Sequence, residues 1–165
     1  MARKVFYSFH YQLDSWRVAK IKEMGTVEGQ PVLSSNEWED VAKGGDGAIK
    51  KWIDENMKGK SCNVVLIGSQ TAGREWVEYE LTKAWADGKG VLGIYIHNLT
   101  DHNQNTTTKG KNPFSRFTIN DGKTAFDSVV PVHNPAGRTS SDVYETIKNN
   151  IESWVEEAIA IRKQW

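Results

Sequence analysis

The chain has 165 residues, 25% of them charged and 38% hydrophobic, which suits one globular domain. Lys plus Arg and Asp plus Glu number 21 each, so the formal net charge is +0, which argues against a module that binds nucleic acid by neutralising phosphates. No run reaches the roughly 18 apolar residues of a membrane span, no signal-peptide core follows the first residues, and the single Cys62 has no internal disulfide partner, so a cytoplasmic, reducing setting is expected.

Lys4 to Phe9 is short and rich in strand formers. Asp14 to Met24 places Trp16, Val18, Ala19, Ile21 and Met24 among charges, which predicts a short amphipathic helix. Gly25 to Gln30 reads as a loop and Pro31 to Leu33 as a short edge strand. Asn36 to Asp40 is polar with one aromatic and reads as a loop or a single turn. Asp46 is a candidate N-cap for a helix to Met57, with Ile49, Trp52, Ile53 and Met57 at helical spacing. The apolar run from Cys62 to Gly68 predicts a buried strand.

A helix is then expected from about Gly73 to Asp87, with Val77, Leu81, Ala84 and Trp85 as its core stripe and Glu80 beside the stripe. Gly88 and Gly90 stop it, and Val91 to Ile96 is a further buried strand. Asn98 to Pro113 is polar and Asn/Thr-rich and reads as a mobile loop. Ser128 to Val132 suits a last edge strand, because Pro131 is tolerated at an edge. Thr139 or Ser140 caps a final helix to about Lys163, with the stripe Val143, Ile147, Ile151, Trp154, Val155, Ala158 and Ile161. Apolar runs alternating with helices predict an α/β fold: a mostly parallel central sheet with helices on both faces. Neither a repeat nor a linker divides the chain, so residues 1–165 are expected to form a single domain.

The stretch from Ser69 to Leu81 carries the chemistry. It follows a strand directly, and in open α/β sheets ligands bind at the carboxyl ends of strands. Trp76 and Glu80 are four residues apart and share a helical face. An aromatic plane beside a carboxylate suits a sugar or nucleoside; spacing alone more often marks a Trp packed on the core and a solvated Glu. Gly59-Lys-Ser61 is not a phosphate loop, since Asp54 stands where a Gly is needed and the tripeptide precedes a strand. His10, His97, His102 and His133 lack metal-type spacing, and no metal site is expected. His10 stands apart from the others because it follows the first strand.

Four pieces occur in order: Phe6-Tyr-Ser-Phe-His-Tyr11, Trp38-Glu-Asp40, Val64-Val-Leu-Ile-Gly-Ser-Gln-Thr71 and Trp76-Val-Glu-Tyr-Glu80-Leu81. Together they resemble the TIR-like proteins of bacterial Thoeris anti-phage defence, over about residues 3–97 and more faintly through Asn112-Pro-Phe114. The resemblance implies a flavodoxin-like fold that takes NAD as substrate, with no separate cofactor, and cleaves its nicotinamide–ribose bond. It implies a cyclic ADP-ribose isomer as product, a second messenger read by a separate effector protein, and leaves room for a phage-derived trigger and for self-association. By position it makes Glu80 the catalytic carboxylate and Trp76 its aromatic neighbour, with Glu78 the rival by sequence alone. Ser8, Phe9, His10 and Tyr11 would line the pocket from the first strand, Trp38 and Asp40 from the next loop, and Ser69 from the loop before the helix. Gly29-Gln-Pro31 stands where animal TIR domains carry an Arg-Asp-x-x-Pro-Gly loop that often drives their assembly. Two alternatives remain open at this point. One is a TIR-type interaction module without catalysis. The other is a nucleoside deoxyribosyltransferase-like enzyme using Glu80 as a covalent nucleophile.

Overall fold

The computed structural model describes residues 2–33 and 35–165, with Met1, Ser34 and the side chain of Ser35 outside the described residues. Strands β1 (Val5–Ser8), β2 (Cys62–Ile67), β3 (Gly90–Tyr95) and β6 (Val132–His133) form one sheet in the order β1-β2-β3-β6. Every pairing in it is parallel. Two short strands, β4 (Thr118–Ile119) and β5 (Thr124–Ala125), make a separate antiparallel hairpin.

The strands are short runs of β-branched and aromatic residues, and β1 and β2 are buried at every position. A parallel sheet needs apolar cover on both faces, and two packed clusters supply it. On one face Val5, Tyr7, Val64, Leu66, Leu92 and Ile94 meet Val18 and Ile21 of α1 (Tyr11–Glu23) and the stripe of α5 (Ser140–Arg162). On the other, Phe6, Val65, Ile67 and Val91 meet Ile49, Ile53 and Met57 of α3 (Asp46–Met57) and Val77, Leu81 and Ala84 of α4 (Glu75–Ala86). The alternation of neighbouring strand residues between clusters is the pleat expressed as packing. Close approach requires glycine at Gly90, where an added Cβ would stand 2.9 Å from the Ala158 backbone of α5.

The far side of β1 is covered in an unusual way. Val5 N donates to Glu28 O at 2.7 Å and Glu28 N donates to Arg3 O at 2.9 Å, giving one parallel bridge between Lys4 and Glu28. The chain then leaves the ladder, and the buried side chain of Gln30 continues it. Its Oε1 accepts from Tyr7 N and its Nε2 donates to Tyr7 O, both at 2.8 Å. With this segment counted, the order across the sheet is that of a flavodoxin-like doubly wound fold.

Several local expectations need correction. Pro31 to Leu33 is not a strand, because the Gln30 amide takes the bonds a strand would make and Pro31 has no N–H. Asn36 to Asp40 lies within a helix, α2 (Ser35–Lys43), whose stripe emerges once Trp38, Val41 and Ala42 are read together. Helix α1 starts at Tyr11 instead of Asp14, with His10 as its cap. Asp46 is the first residue of α3 and Gly45 its cap. The last strand begins at Val132, after a 3-10 turn at Phe126–Ser128.

The segment from Asn98 to Pro113 is anchored, not free. Buried Arg17 donates to Leu99 O at 2.8 Å and to Asn105 O at 2.9 Å, while pairing with buried Asp14 at 3.0 Å. Leu99 and Phe114 are fully buried. Among the described residues, no helix is long and apolar enough to cross a membrane.

The Gln30 bridge is testable. Gln30→Ala strips partners from two buried backbone groups and is expected to cost about 2–4 kcal/mol. Urea denaturation should show a lower midpoint with an unchanged slope; an unchanged midpoint would mean that β1 holds without the side-chain bridge.

Candidate functional site

The cavity opens where β1 and β2 end and α4 begins, and has a volume of about 530 Å³. This falls within the ~300–1,000 Å³ usual for small-molecule sites. Phe6, Phe9, Trp38, Trp52 and Trp76 give it apolar walls, and Arg74, Glu75 and Glu80 bring charge. Arg74 is the one cation among the described lining residues.

The aromatic side chains support one another. Phe9 stacks on Tyr11 at 5.9 Å between ring centres, and Tyr11 on Trp38 at 5.6 Å. Trp38 meets Trp52 edge-on at 6.0 Å, and Trp52 meets Phe6 at 6.2 Å. Trp76 is fixed edge-on by Tyr79 at 5.8 Å, whose hydroxyl donates to Asp54 at 2.7 Å. Edge-to-face and offset contacts of this kind fix ring planes, and a fixed ring is a ready platform for a flat ligand.

Glu80 is the site's unusual group. Helix α4 packs across β1, β2 and β3, so a residue beside its stripe still faces the sheet where β1 ends. Glu80 is only 8% exposed, and burial pushes its carboxyl from an ordinary 4.5 up to about 8, against a hydrogen bond from Ser8 that pulls it down. Carboxyl groups perturbed by burial inside a cleft are candidates for chemistry. Glu78 lines no part of the cavity and pairs with Arg116 at 2.9 Å.

The expected site residues divide. Phe9, Tyr11, Trp38, Trp76 and Glu80 meet at the cavity. Ser8 lies buried behind it, touching the ligand space only through Glu80. His10, Asp40 and Ser69 do not line it. His10 Nδ1 accepts from Leu13 N at 3.2 Å as the cap of α1, and burial and then Arg74 hold its basicity below the ordinary value, favouring the neutral ring. Asp40 points to solvent and reaches Lys43 at 3.7 Å, because α2 turns Trp38 inward and Asp40 outward. Ser69 is half-buried in the turn after β2, where Thr71 takes the polar role by accepting from Gly68 N at 2.8 Å. Arg74, Trp52 and Asn63 are not marked as site residues by the sequence. Trp52 reads as core by its spacing, and Arg74 carries no pattern of its own. Asn63 had a signal: it is the lone polar side chain in an apolar strand. Among the described residues, no three His, Cys, Asp or Glu side chains gather as metal ligands.

A parallel five-position sheet with an aromatic-walled cleft and an inward glutamate on the following helix defines a TIR-like domain. The model of the family described as "Thoeris protein ThsB, TIR-like domain" matches residues 6–101, and the chain belongs to that family. A protein of Bacillus cereus (strain MSX-D12) named "Putative cyclic ADP-D-ribose synthase ThsB1" is 38% identical over 119 residues. That match covers 69% of this chain and 62% of the relative, so the chain spans less than two thirds of the relative's length.

The Glu80 carboxyl makes stability depend on pH. The folded state keeps its proton to about pH 8, whereas the unfolded chain releases it near 4.5. The folded state therefore binds more protons in that window. The group's favourable contribution is complete below the lower value and is lost as pH rises through the upper one. Across the window, wild type is expected to lose about 1.4 kcal/mol per pH unit relative to Glu80→Gln. Urea denaturation of both proteins at several pH values reads this out, and parallel curves would show that the carboxyl is already ionised in the fold.

Proposed function

We propose that this protein cleaves the nicotinamide–ribose bond of NAD and closes the remaining ADP-ribose into a cyclic isomer. The observation that carries the reading is a buried glutamate at the floor of an aromatic cleft. The family membership supports it, as does the name of the Bacillus relative. Glu80 is the catalytic carboxylate, Trp76 its neighbouring wall, and Phe9, Tyr11 and Trp38 the aromatic surface for the ligand's rings.

The chemistry follows from charge. Loss of nicotinamide leaves an oxocarbenium-like ribose. A carboxylate stabilises that cation most where water is excluded. In the empty cleft Glu80 holds a proton at neutral pH. The cationic pyridinium of NAD favours the ionised form on arrival, so substrate binding and activation of the carboxylate are coupled. The vacated ribose carbon must then be refilled. The opposing aromatic surface holds the adenine end of the same molecule near it and keeps water out, which favours ring closure over hydrolysis. In this reading the product is a second messenger in anti-phage defence, made in the cytoplasm and read by a separate effector protein. A phage-derived trigger starts the reaction, and self-association can accompany it.

The test uses cells expressing wild type, Glu80→Gln or Glu78→Gln, with and without phage, and mass spectrometry of their small molecules. The expected result is a cyclic ADP-ribose mass in wild type and Glu78→Gln, and its absence in Glu80→Gln. Wild-type product from Glu80→Gln would remove Glu80 from the chemistry. No product from any infected culture would favour the interaction module, and a trapped glycosyl-enzyme formed with a nucleoside but not NAD would favour the transferase.

Opening the aromatic wall should change the product. Trp38→Ala admits water to the ribose, so the ratio of linear to cyclic ADP-ribose is expected to rise several-fold. An unchanged ratio at reduced rate would limit Trp38 to binding.

A further inference from the structure

Asn63 is the second residue of β2, fully buried, in a strand whose other members are all apolar. A buried amide in such a place costs free energy unless it is hydrogen-bonded, so its partners matter. Its Nδ2 donates to Phe6 O at 3.1 Å and to Ser8 Oγ at 2.8 Å, both on the neighbouring strand. The direction of these bonds is fixed by chemistry. A backbone carbonyl can only accept, so the amide atom facing Phe6 O is the nitrogen, and both of its protons are then committed. Ser8 Oγ therefore receives a proton from Asn63, and its own single proton is left to donate. Ser8 is itself 1% exposed, and its side-chain partner beyond Asn63 is Glu80.

We propose that Asn63 is a positioning residue for the Glu80 carboxylate: by donating to Ser8 Oγ it turns the Ser8 hydroxyl proton onto Glu80. This deepens the NAD-cleaving reading and rests on it for its catalytic meaning, while the relay itself is a statement about three side chains. Without Asn63 no donor fixes the Ser8 hydroxyl, which is free to turn its proton away and to offer its lone pairs to a protonated Glu80. The relay thus selects the ionised carboxylate in a place where burial opposes ionisation. It also holds the carboxylate at one position against the sheet, below the space where the ribose would sit. The lining offers no other means of doing this. Its ionisable members besides Glu80 are Tyr7, Tyr11, Arg74 and Glu75, and none of them acts on the carboxyl, which responds to burial and to Ser8.

A structural role for Asn63, as a tie between β1 and β2, would leave the titration of Glu80 unmoved. The test is therefore an NMR titration of the full chain with 13C-labelled glutamate and 15N-labelled asparagine side chains, the Glu80 signal being assigned by its loss in Glu80→Gln. Wild type is expected to titrate near pH 8. Asn63→Leu keeps the volume, removes the donor, and should raise the midpoint by about one pH unit. Ser8→Ala should raise it similarly, and the double variant should match Ser8→Ala alone, because both changes cut one chain. An unmoved midpoint in Asn63→Leu, or shifts that add, would overturn the relay. Should Asn63→Leu not fold, the wild-type Asn63 amide protons decide. They should shift with the Glu80 midpoint and cease to do so in Ser8→Ala, and silence in wild type would overturn the proposal. Nicotinamide release from the same samples separates the two levels. If wild type releases none even after addition of lysate from phage-infected cells, the NAD reading fails while the titration still judges the relay. If it does, the pH midpoint of kcat/KM should move with the NMR midpoint in each variant.

Discussion

A carboxyl group cannot be placed against the face of a parallel sheet without consequence. In water it would ionise near pH 4.5, and here burial moves it to about 8. Much of the surrounding architecture can be understood from that constraint. The short strand β1 ends at Ser8, so the sheet stops just where α4 still covers it, and the Glu80 side chain faces the cavity left there. Helices α2 and α3 bring Trp38 and Trp52 to the same cavity as apolar walls. The one cation of the described lining, Arg74, is not among the groups that act on the carboxyl, which responds to burial and to Ser8.

The opposite face of the sheet does a different job. There α1 and α5 pack on an apolar surface, and the polar content is concentrated in Arg17 and Asp14. Arg17 ties the long 98–113 segment to α1 by its backbone carbonyls, which needs no particular side chains in the segment itself. That explains how a stretch so rich in Asn and Thr can be ordered. One face of the sheet thus holds the frame while the other is free to carry a cleft.

Elements whose own residues determine them could be read from the sequence. The runs of β-branched and aromatic residues became β1, β2 and β3, and the stripe of α5 was buried at Val143, Ile147, Ile151, Val155 and Ala158. Elements decided by distant partners could not. Pro31 to Leu33 has strand composition, but a glutamine one residue earlier had already closed the ladder. Helix α2 was obscured because its first half shows a single aromatic, and Val41 and Ala42 complete the pattern only beyond it. In the cleft, helical spacing after a strand put Trp76 and Glu80 on one face. That spacing fitted a core Trp and a solvated Glu as well, and it was the family resemblance that singled the pair out. The absence of His10, Asp40 and Ser69 from the lining was not legible, because each is diverted by a local bond or by the turn of a helix. Asn63 could be noticed as an oddity, but its meaning depends on a neighbour 55 residues away in the chain.

The Gln30 bridge has one more implication, for solubility. A sheet margin normally presents a row of free N–H and C=O groups, a template on which another chain can grow. Beyond β1 that template is used up by a side-chain amide at Tyr7, and the next backbone position is Pro31, which has no proton to give. Fibre-like growth by strand addition therefore has no foothold on this side of the molecule, and an assembly of copies through this margin must use side-chain surfaces instead.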